Sequence, residues 1–383
     1  MSFSGNTGSH AGATRSALLV LGAAALLAAC HHSNNTITKG LWIANGNNVV
    51  EFVPSQLTNG VLDVAPKVTN GSGSFGTPQG VTFDSKGNLW VMDPGALING
   101  TATPALLEFS AAEVNALGTT NSPDPTAIIT SASLAFPQQS VFDSAGNQWV
   151  TDHNNNTILV FTAAQLAMTG TNDLMPAAVI SSESFNGPLG IVFDSSGNLW
   201  VANNGGVPGA NNTMSATGTS IVEFTKAQLT NIVPASGQNT PALNPTITLS
   251  DDGNGSVQAP WELQFDSAGN LWSSNSATPF TLVEIAKANL AASGSPTPAI
   301  TISPVSDGGV QTLNQTNGLC FDNLGDIAAT NAVAAPASGA NAPSAPFYRV
   351  PLKTGTITPS TFFSGATTTL NAPAGCNWGP LVN

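Results

Sequence analysis

Glu262 directly follows Trp261 at the start of an alternating segment, Pro260 to Asp266. A carboxyl set beside an indole loses hydration, which raises its pKa and suits it to give or take a proton. The corresponding starts of related segments carry Gln79, Gln138 with Gln139, Leu189, Asn317 and Ala374. A second set of segments ends on Asn45, Asp93, Asp152 followed by His153, Asn203, Asn275 and Asn331. Amides and an indole offer neutral donors and acceptors, the chemistry of a polar ligand site. The candidate ligand-binding residues are Gln79, Gln138, Gln139, Trp261, Glu262, Asn317, Asn203 and Asn275. The candidate catalytic residues are Glu262, His153 and Asp152, and His153 is the only histidine after residue 38. The chain has no nucleophile-elbow Gly-x-Ser-x-Gly at a strand-to-helix turn and no phosphate-binding Gly-x-x-x-x-Gly-Lys loop.

A repeat must position these residues. The line Phe83-Asp-Ser-Lys-Gly-Asn-Leu-Trp-Val-Met-Asp93 returns with small changes at Phe142 to Asp152, Phe193 to Asn203 and Phe265 to Asn275, and in a worn copy at Phe321 to Asn331. Repeats roughly 50–70 residues apart mark solenoids, propellers or arrays. Each repeat reads as four strands. Strand A is Pro-x-Gly-x-x-Phe-Asp, as at Pro78 to Asp84 and Pro188 to Asp194. The turn Asp-x-x-Gly-Asn follows, with Asp bonding the backbone ahead of it and Gly left-handed. Strand B is Leu-Trp-Val-x-Asp/Asn. Strand C is an apolar run such as Ile221 to Phe224, with Phe347 to Val350 in the worn copy, and strand D is another, such as Ala178 to Ser181. Ser110, Thr162 and Thr225 precede small helix formers between C and D, which predicts a single capped helical turn. Residues after 38 open on strand B, Leu41 to Asn45, and a lone strand A, Pro373 to Gly379, comes last. The last A therefore completes the first sheet. The predicted fold is all-β: a six-bladed β-propeller of four-stranded blades over residues 39–383.

Composition agrees. Gly, Pro, Asn, Thr and Val are abundant, and only 8 Lys and Arg oppose 21 Asp and Glu, for a net charge of −13. A chain without a basic cluster does not neutralise phosphates, so nucleic acid is excluded as a partner, and a monomer is expected. The first residues read as an address. Arg15 precedes an apolar run from Ala17 to Ala29, too short to span a bilayer and laid out as a secretory signal peptide over residues 1–29. Leu27-Ala-Ala-Cys30 resembles the bacterial lipobox. That resemblance implies cleavage before Cys30, a lipid on the Cys30 thiol, a polar tether over residues 30–38 and, with no Asp after Cys30, an outer-membrane place in the bacterial cell envelope. Cys320 and Cys376 fall at different offsets in their repeats, so their side chains point to opposite strand faces. They are expected to be buried free thiols, with a bridge as the alternative that a secreted chain permits.

The pattern Pro-x-Gly-x-x-Phe-Asp…Gly-Asn-Leu-Trp-Val-x-Asp resembles the NHL-type propellers and their relatives, the senescence-marker/gluconolactonase group and the streptogramin lyases. The resemblance covers the chain after residue 38. It implies that the D-to-A and B-to-C loops open on one face, around the channel mouth, where residues before each strand A gather. Gluconolactonase-like enzymes hold one divalent metal there through Glu, Asn and Asp. Here Asn317-Gly318 matches the Asn form and Glu262 offers a carboxylate, but no Asp falls at the other strand-A starts. Calcium or zinc at Glu262 and Asn317 is thus half supported, and no cofactor is the first expectation. The His/Glu/His cluster of the streptogramin lyases is not available with one histidine. Two functions remain: a non-catalytic module binding a carbohydrate, peptide or envelope protein, and a metal-dependent lactone hydrolase. The tryptophans are expected to pack between blades, and Glu51, Glu108, Glu223 and Glu284, with Val160 and Arg349 in the other two blades, to face outward from strand C. The insertions Pro94 to Pro104, Asn204 to Thr219 and Ala332 to Pro346 are expected as mobile loops on the mouth face.

Overall fold

The computed structural model describes residues 36–117, 122–205, 219–234, 236–307, 309–332 and 342–382. Cys30 with its apolar leader, most of the tether and most of the two later insertions lie outside these. Blade 1 joins Pro373–Gly379 to Gly40–Asn45, Asn48–Phe52 and Val68–Asn70. Blade 2 is Gly80–Phe83, Leu89–Ile98, Thr101–Phe109 and Ala127–Thr130; blade 3 is Pro137–Phe142, Gln148–Asp152, Thr157–Phe161 and Ala178–Ser181. Blade 4 is Pro188–Phe193, Leu199–Asn203, Ser220–Phe224 and Ile247–Leu249; blade 5 is Pro260–Phe265, Leu271–Asn275, Thr281–Ile285 and Ile300–Ser303. Blade 6 is Thr316–Phe321, Ile327–Asn331, Ser344–Tyr348 and Thr361–Ser364. The six-bladed propeller closes as expected, with the last strand A paired antiparallel to Gly40–Asn45.

The repeat residues explain the blades. Asp84 accepts from the backbone of Lys86 and Asn88 and from the Asn88 amide, while Asn88 Oδ1 accepts from Ala111 N at the helical turn. Gly87 stands at φ +85°, which only glycine takes cheaply. Each Trp packs edge-on against the strand-A Phe of the next blade, as in Trp149–Phe193 at 5.6 Å and Trp272–Phe321 at 5.9 Å. Burying these rings between sheets is where aromatic area contributes most. In blade 6, Ala328 replaces the Trp, and Trp378 of blade 1 fills the space against Phe347.

Four expectations are corrected, and the first two share a cause. In a propeller both faces of every blade are interior. Cys320 and Cys376 form a disulfide, with a Cα–Cα distance of 5.9 Å. Their opposite strand faces are what brings them together, because neighbouring blades meet front to back. Glu51, Glu108, Glu223 and Glu284 do not face outward but are buried between blades. Arg349 does not share their position. Ala328 pairs with Phe347 as Trp42 pairs with Glu51, so Phe347 stands there. A phenyl ring suits that buried place, and Arg349 leaves the sheet to meet Asp326 at 3.8 Å. The Pro94 to Pro104 insertion is not a loose loop; Leu89–Ile98 and Thr101–Phe109 continue as one hairpin through Ala96, Leu97 and Ile98.

The link between strands C and D does more than turn. The helical turns form, with Ser110, Thr162 and Thr225 each accepting a cap bond. Beyond them, Gly170–Asp173 pairs parallel to blade 2's strand D, Gly355–Thr356 to that of blade 5, and Gly60–Leu62 to that of blade 6. Bridges at Asn239, Ala242 and Gly294 repeat the arrangement. Five of the links thus cover the outer edge of the preceding blade, where a bare strand would invite foreign pairing.

Candidate functional site

The strand-B ends act alike in all six blades. Asp93 accepts from Gly76 N at 2.8 Å and Thr77 N at 2.9 Å, and Asp152 accepts from Ala135 N at 2.6 Å and Phe136 N at 2.9 Å. Asn203 accepts from Asn186 N and donates to Ser184 O, Asn275 accepts from Gln258 N and donates to Gly255 O. Asn331 and Asn45 hold the loops before Thr316 and Pro373 in the same way. Each residue clamps the loop that leads into its own blade's strand A. Burial pushes the Asp93 and Asp152 carboxyls up, against the pull of those N–H donors. Of the candidate ligand-binding residues, Asn203 and Asn275 are therefore occupied by structure, as is Asp152 among the catalytic ones.

The strand-A starts differ from blade to blade. Strands A and B shift register here in blades 1, 3, 4, 5 and 6, leaving backbone groups that no ladder meets. In blades 3, 5 and 6 a hydroxyl on strand B satisfies them. Thr151 accepts from Gln139 N at 3.1 Å and donates to Leu189 O of the next blade at 2.7 Å. Ser274 does the same between Glu262 N and Asn317 O, and Thr330 between Gly318 N and Ala374 O. Side chains at this level line the axis. Gln79 folds back onto Thr77 O at 3.1 Å and stays partly exposed. Gln139 lies where a Cβ on either Gly80 or Gly375 would collide with it, so both glycines are needed to admit its amide.

Four side-chain atoms here are buried without a hydrogen-bond partner among the described residues: Gln138 Oε1, Gln139 Nε2, Trp261 Nε1 and Glu262 Oε2. Burial raises the Glu262 carboxyl well above its ordinary value, opposed only by the Leu263 N–H. Burial thus favours the neutral form of the Glu262 carboxyl. Asn317, 4% exposed, stands one blade on. His153 lies on blade 3, its N–H donating to Phe136 O and its Nδ1 3.1 Å from Asn154 Oδ1. His153 and Asp152 stand on blade 3 and Glu262 on blade 5.

One residue escaped sequence reasoning. Asn204 is fully buried, and its Nδ2 reaches Ala259 O at 2.9 Å and Ser276 Oγ at 3.1 Å of blade 5, while Oδ1 has no partner among the described residues. His153, Asn204 and Ser276 follow their clamps at one repeat position, each N–H donating to the residue before its own strand-A Pro. That equivalence was the available signal.

The residues do not fit a gluconolactonase-type metal centre. Among the described residues no three His, Cys, Asp or Glu side chains gather as ligands, and burial disfavours the charged form of Glu262 that a cation would need.

No family model matches this chain, and no curated protein matches its sequence. Among solved structures it is similar to a streptogramin B lyase, at 13% identity over 83% of this chain and 76% of that one, with a TM-score of 0.39. It is similar also to virginiamycin B lyase from Staphylococcus aureus, at 15% identity over 72% and 70%, TM-score 0.37. A catalytically inactive form of the Staphylococcus aureus enzyme with quinupristin overlaps at 14% identity over 84% and 77%, TM-score 0.37. No functional argument rests on overlaps of this size; the propeller assignment stands on the sheet topology.

Proposed function

We propose that this protein is a non-catalytic binding module of the bacterial cell envelope, held at the outer membrane by a lipid on Cys30, that takes an uncharged, hydroxyl-rich ligand such as a carbohydrate at the channel mouth. The observation that carries the reading is the set of buried, unpartnered atoms at Gln138, Gln139, Trp261 and Glu262. Buried polar atoms in native proteins are nearly always bonded, and exceptions point to water, ions or ligands. Two of these atoms are donor or acceptor amide groups, one is an indole donor, and a carboxyl that burial pushes toward its neutral form can do either. Such a set matches alcohol hydroxyls and disfavours an anion or a bare cation.

The test is titration with a panel of neutral oligosaccharides followed by tryptophan fluorescence. Binding that is lost in Trp261→Ala and weakened at least ten-fold in Gln138→Ala supports the module. Stoichiometric calcium or zinc, abolished by Glu262→Gln, would replace it with the lactone-hydrolase reading. In cells, Cys30→Ala should release the protein from the membrane fraction; continued sedimentation with membranes overturns the anchor.

A further inference from the structure

Of the chain's 8 Lys and Arg residues, Arg15 lies in the leader, and the fold gathers all the others at one end of the ring. Strands alternate in direction within a blade. The turn from A to B, the start of B, the end of C and the start of D therefore share one end, opposite the mouth. Lys86 sits in an A-to-B turn, and Lys39 directly precedes the strand B of blade 1, Gly40–Asn45. Lys67 directly precedes that blade's strand D, Val68–Asn70. Lys226 and Lys287 open the links after the C strands Ser220–Phe224 and Thr281–Ile285. Arg349 follows the strand C of blade 6, Ser344–Tyr348, and Lys353 lies in the same link. Every one of these side chains is exposed. None is left for the mouth end, whose entry loops carry Glu183, Asp251, Asp252 and Asp307.

Acidic groups share the turn end, but the fold has engaged most of them. Asp84, Asp143, Asp194 and Asp266 each accept backbone N–H groups of their own turn and an Asn amide. Glu51, Glu108, Glu223 and Glu284 are buried, and burial pushes each carboxyl toward its neutral form. The lysines are not engaged in this way: among the described residues no lysine forms an ion pair, whereas Arg349 meets Asp326 at 3.8 Å. The tether reaches the same end. Thr38 N donates to Asn323 Oδ1 in the turn of blade 6 at 3.1 Å, and Ile37 packs against the cluster of Cys320, Ala328 and Trp378.

We propose that the turn end of the propeller rests on the anionic surface of the membrane, its lysines on lipid phosphate groups, so that the channel mouth opens away from the bilayer. This rests on the reading of Cys30 as the lipid anchor. The chain from Cys30 to Thr38 spans at most about 28 Å when fully extended, which keeps the end that receives it near the bilayer. Lysines spaced round a ring set orientation more than affinity, and the acidic loops of the mouth are repelled by the same surface.

The test uses the full chain, expressed with its lipid and reconstituted in vesicles of phosphatidylethanolamine and phosphatidylglycerol, a fraction of the headgroups carrying a nitroxide. A fluorophore is attached through Ser85→Cys or Ser267→Cys at the turn end, or through Asn254→Cys in a mouth loop, all at exposed positions. Labelling without reductant leaves Cys320–Cys376 closed. Strong quenching is expected at the first two sites and little at the third. Lys86→Gln, Lys226→Gln and Lys287→Gln together should cut turn-end quenching by about half while the chain stays with the vesicles. Equal quenching at both ends, stronger quenching at Asn254→Cys, or a lysine variant quenched like the wild type overturns the proposal. A chain that leaves the vesicles only when Cys30 is replaced bears out the anchor whatever the labels show, and a wild-type chain that never joins them overturns the anchor and this orientation with it.

Discussion

The strand-B ends and the strand-A starts lie side by side on one face of the propeller and obey opposite rules. At the ends of strand B, six blades carry Asn or Asp, and every one is buried with its hydrogen bonds satisfied by its own entry loop. At the starts of strand A, the repeat allows Gly, Gln or Glu, and four buried polar atoms there go unmet among the described residues. Repetition in this molecule marks structure, and a break in the repeat marks the place to look for function. A residue type that recurs at one position, however chemically suggestive, has already been given work by the fold.

The largest effect is expected where the irregular strands close the ring. The Cys320–Cys376 bridge joins strand A of blade 6 to strand A of blade 1 across a sequence separation of 56. Constraining a loop of that size in the unfolded chain contributes about 4 kcal/mol in the chain-entropy model. Cys376→Ala should therefore lower unfolding free energy in urea by that order, and dithiothreitol should do the same to the wild type but not to the variant. Equal stability of oxidised and reduced protein would show that the neighbouring strand pairing closes the ring unaided.

The clamps come next. Asn331 accepts from Asn314 N and from Thr316 Oγ1 and donates to Thr312 O and Ser344 Oγ, all inside the protein. Asn331→Ala strands several of these groups, and a loss of about 3 kcal/mol follows from unmet buried partners. Gln138→Ala, on the neighbouring set, should cost less than about 1 kcal/mol, because its Oε1 has no protein bond to lose. Urea melts of the two variants measure the contrast directly; comparable losses would erase the distinction between the two sets.

Much of this was legible in the residues. The turn chemistry, the aromatic row and the lone strand A gave the propeller and its closure, because each is a local pattern repeated along the chain. The errors came from judging a blade as an ordinary sheet with one outer face. On that view Glu51 and Glu108 belong in solvent and Cys320 cannot meet Cys376. Packing blades front to back buries both faces and reverses both conclusions. The parallel edge pairings, such as Gly170–Asp173 on Ala127–Thr130, left no trace because a short polar strand borrowed by another blade has no periodicity of its own. Of the site, Trp261, Glu262 and Gln139 were visible as departures from the motif, whereas Asn204 was hidden behind Asn203, whose role as a clamp only the hydrogen bonds reveal.

The effect most particular to the mouth is the pH dependence of Glu262. Burial pushes its carboxyl well above the ordinary value in the folded chain, while in the unfolded chain it ionises near the ordinary value of 4.5. Below that value both states carry the proton and the group has no influence on folding. As pH rises past it, the unfolded chain gains a solvated charge that the folded chain refuses, so stability falls with pH until the folded carboxyl finally ionises. Glu51 and Glu108 act with the same sign but only up to about 7. Glu262→Gln keeps the shape and hydrogen-bonding atoms and removes the titration. Its melting temperature should match the wild type at about pH 3.5 and exceed it increasingly as pH rises past 4.5, whereas Glu108→Gln should gain only up to about pH 7. Melting curves of wild type and Glu262→Gln that run parallel across that range would mean that Glu262 is ionised in the folded protein, and that a cation or a solvated path at the mouth, not a neutral ligand, completes the site.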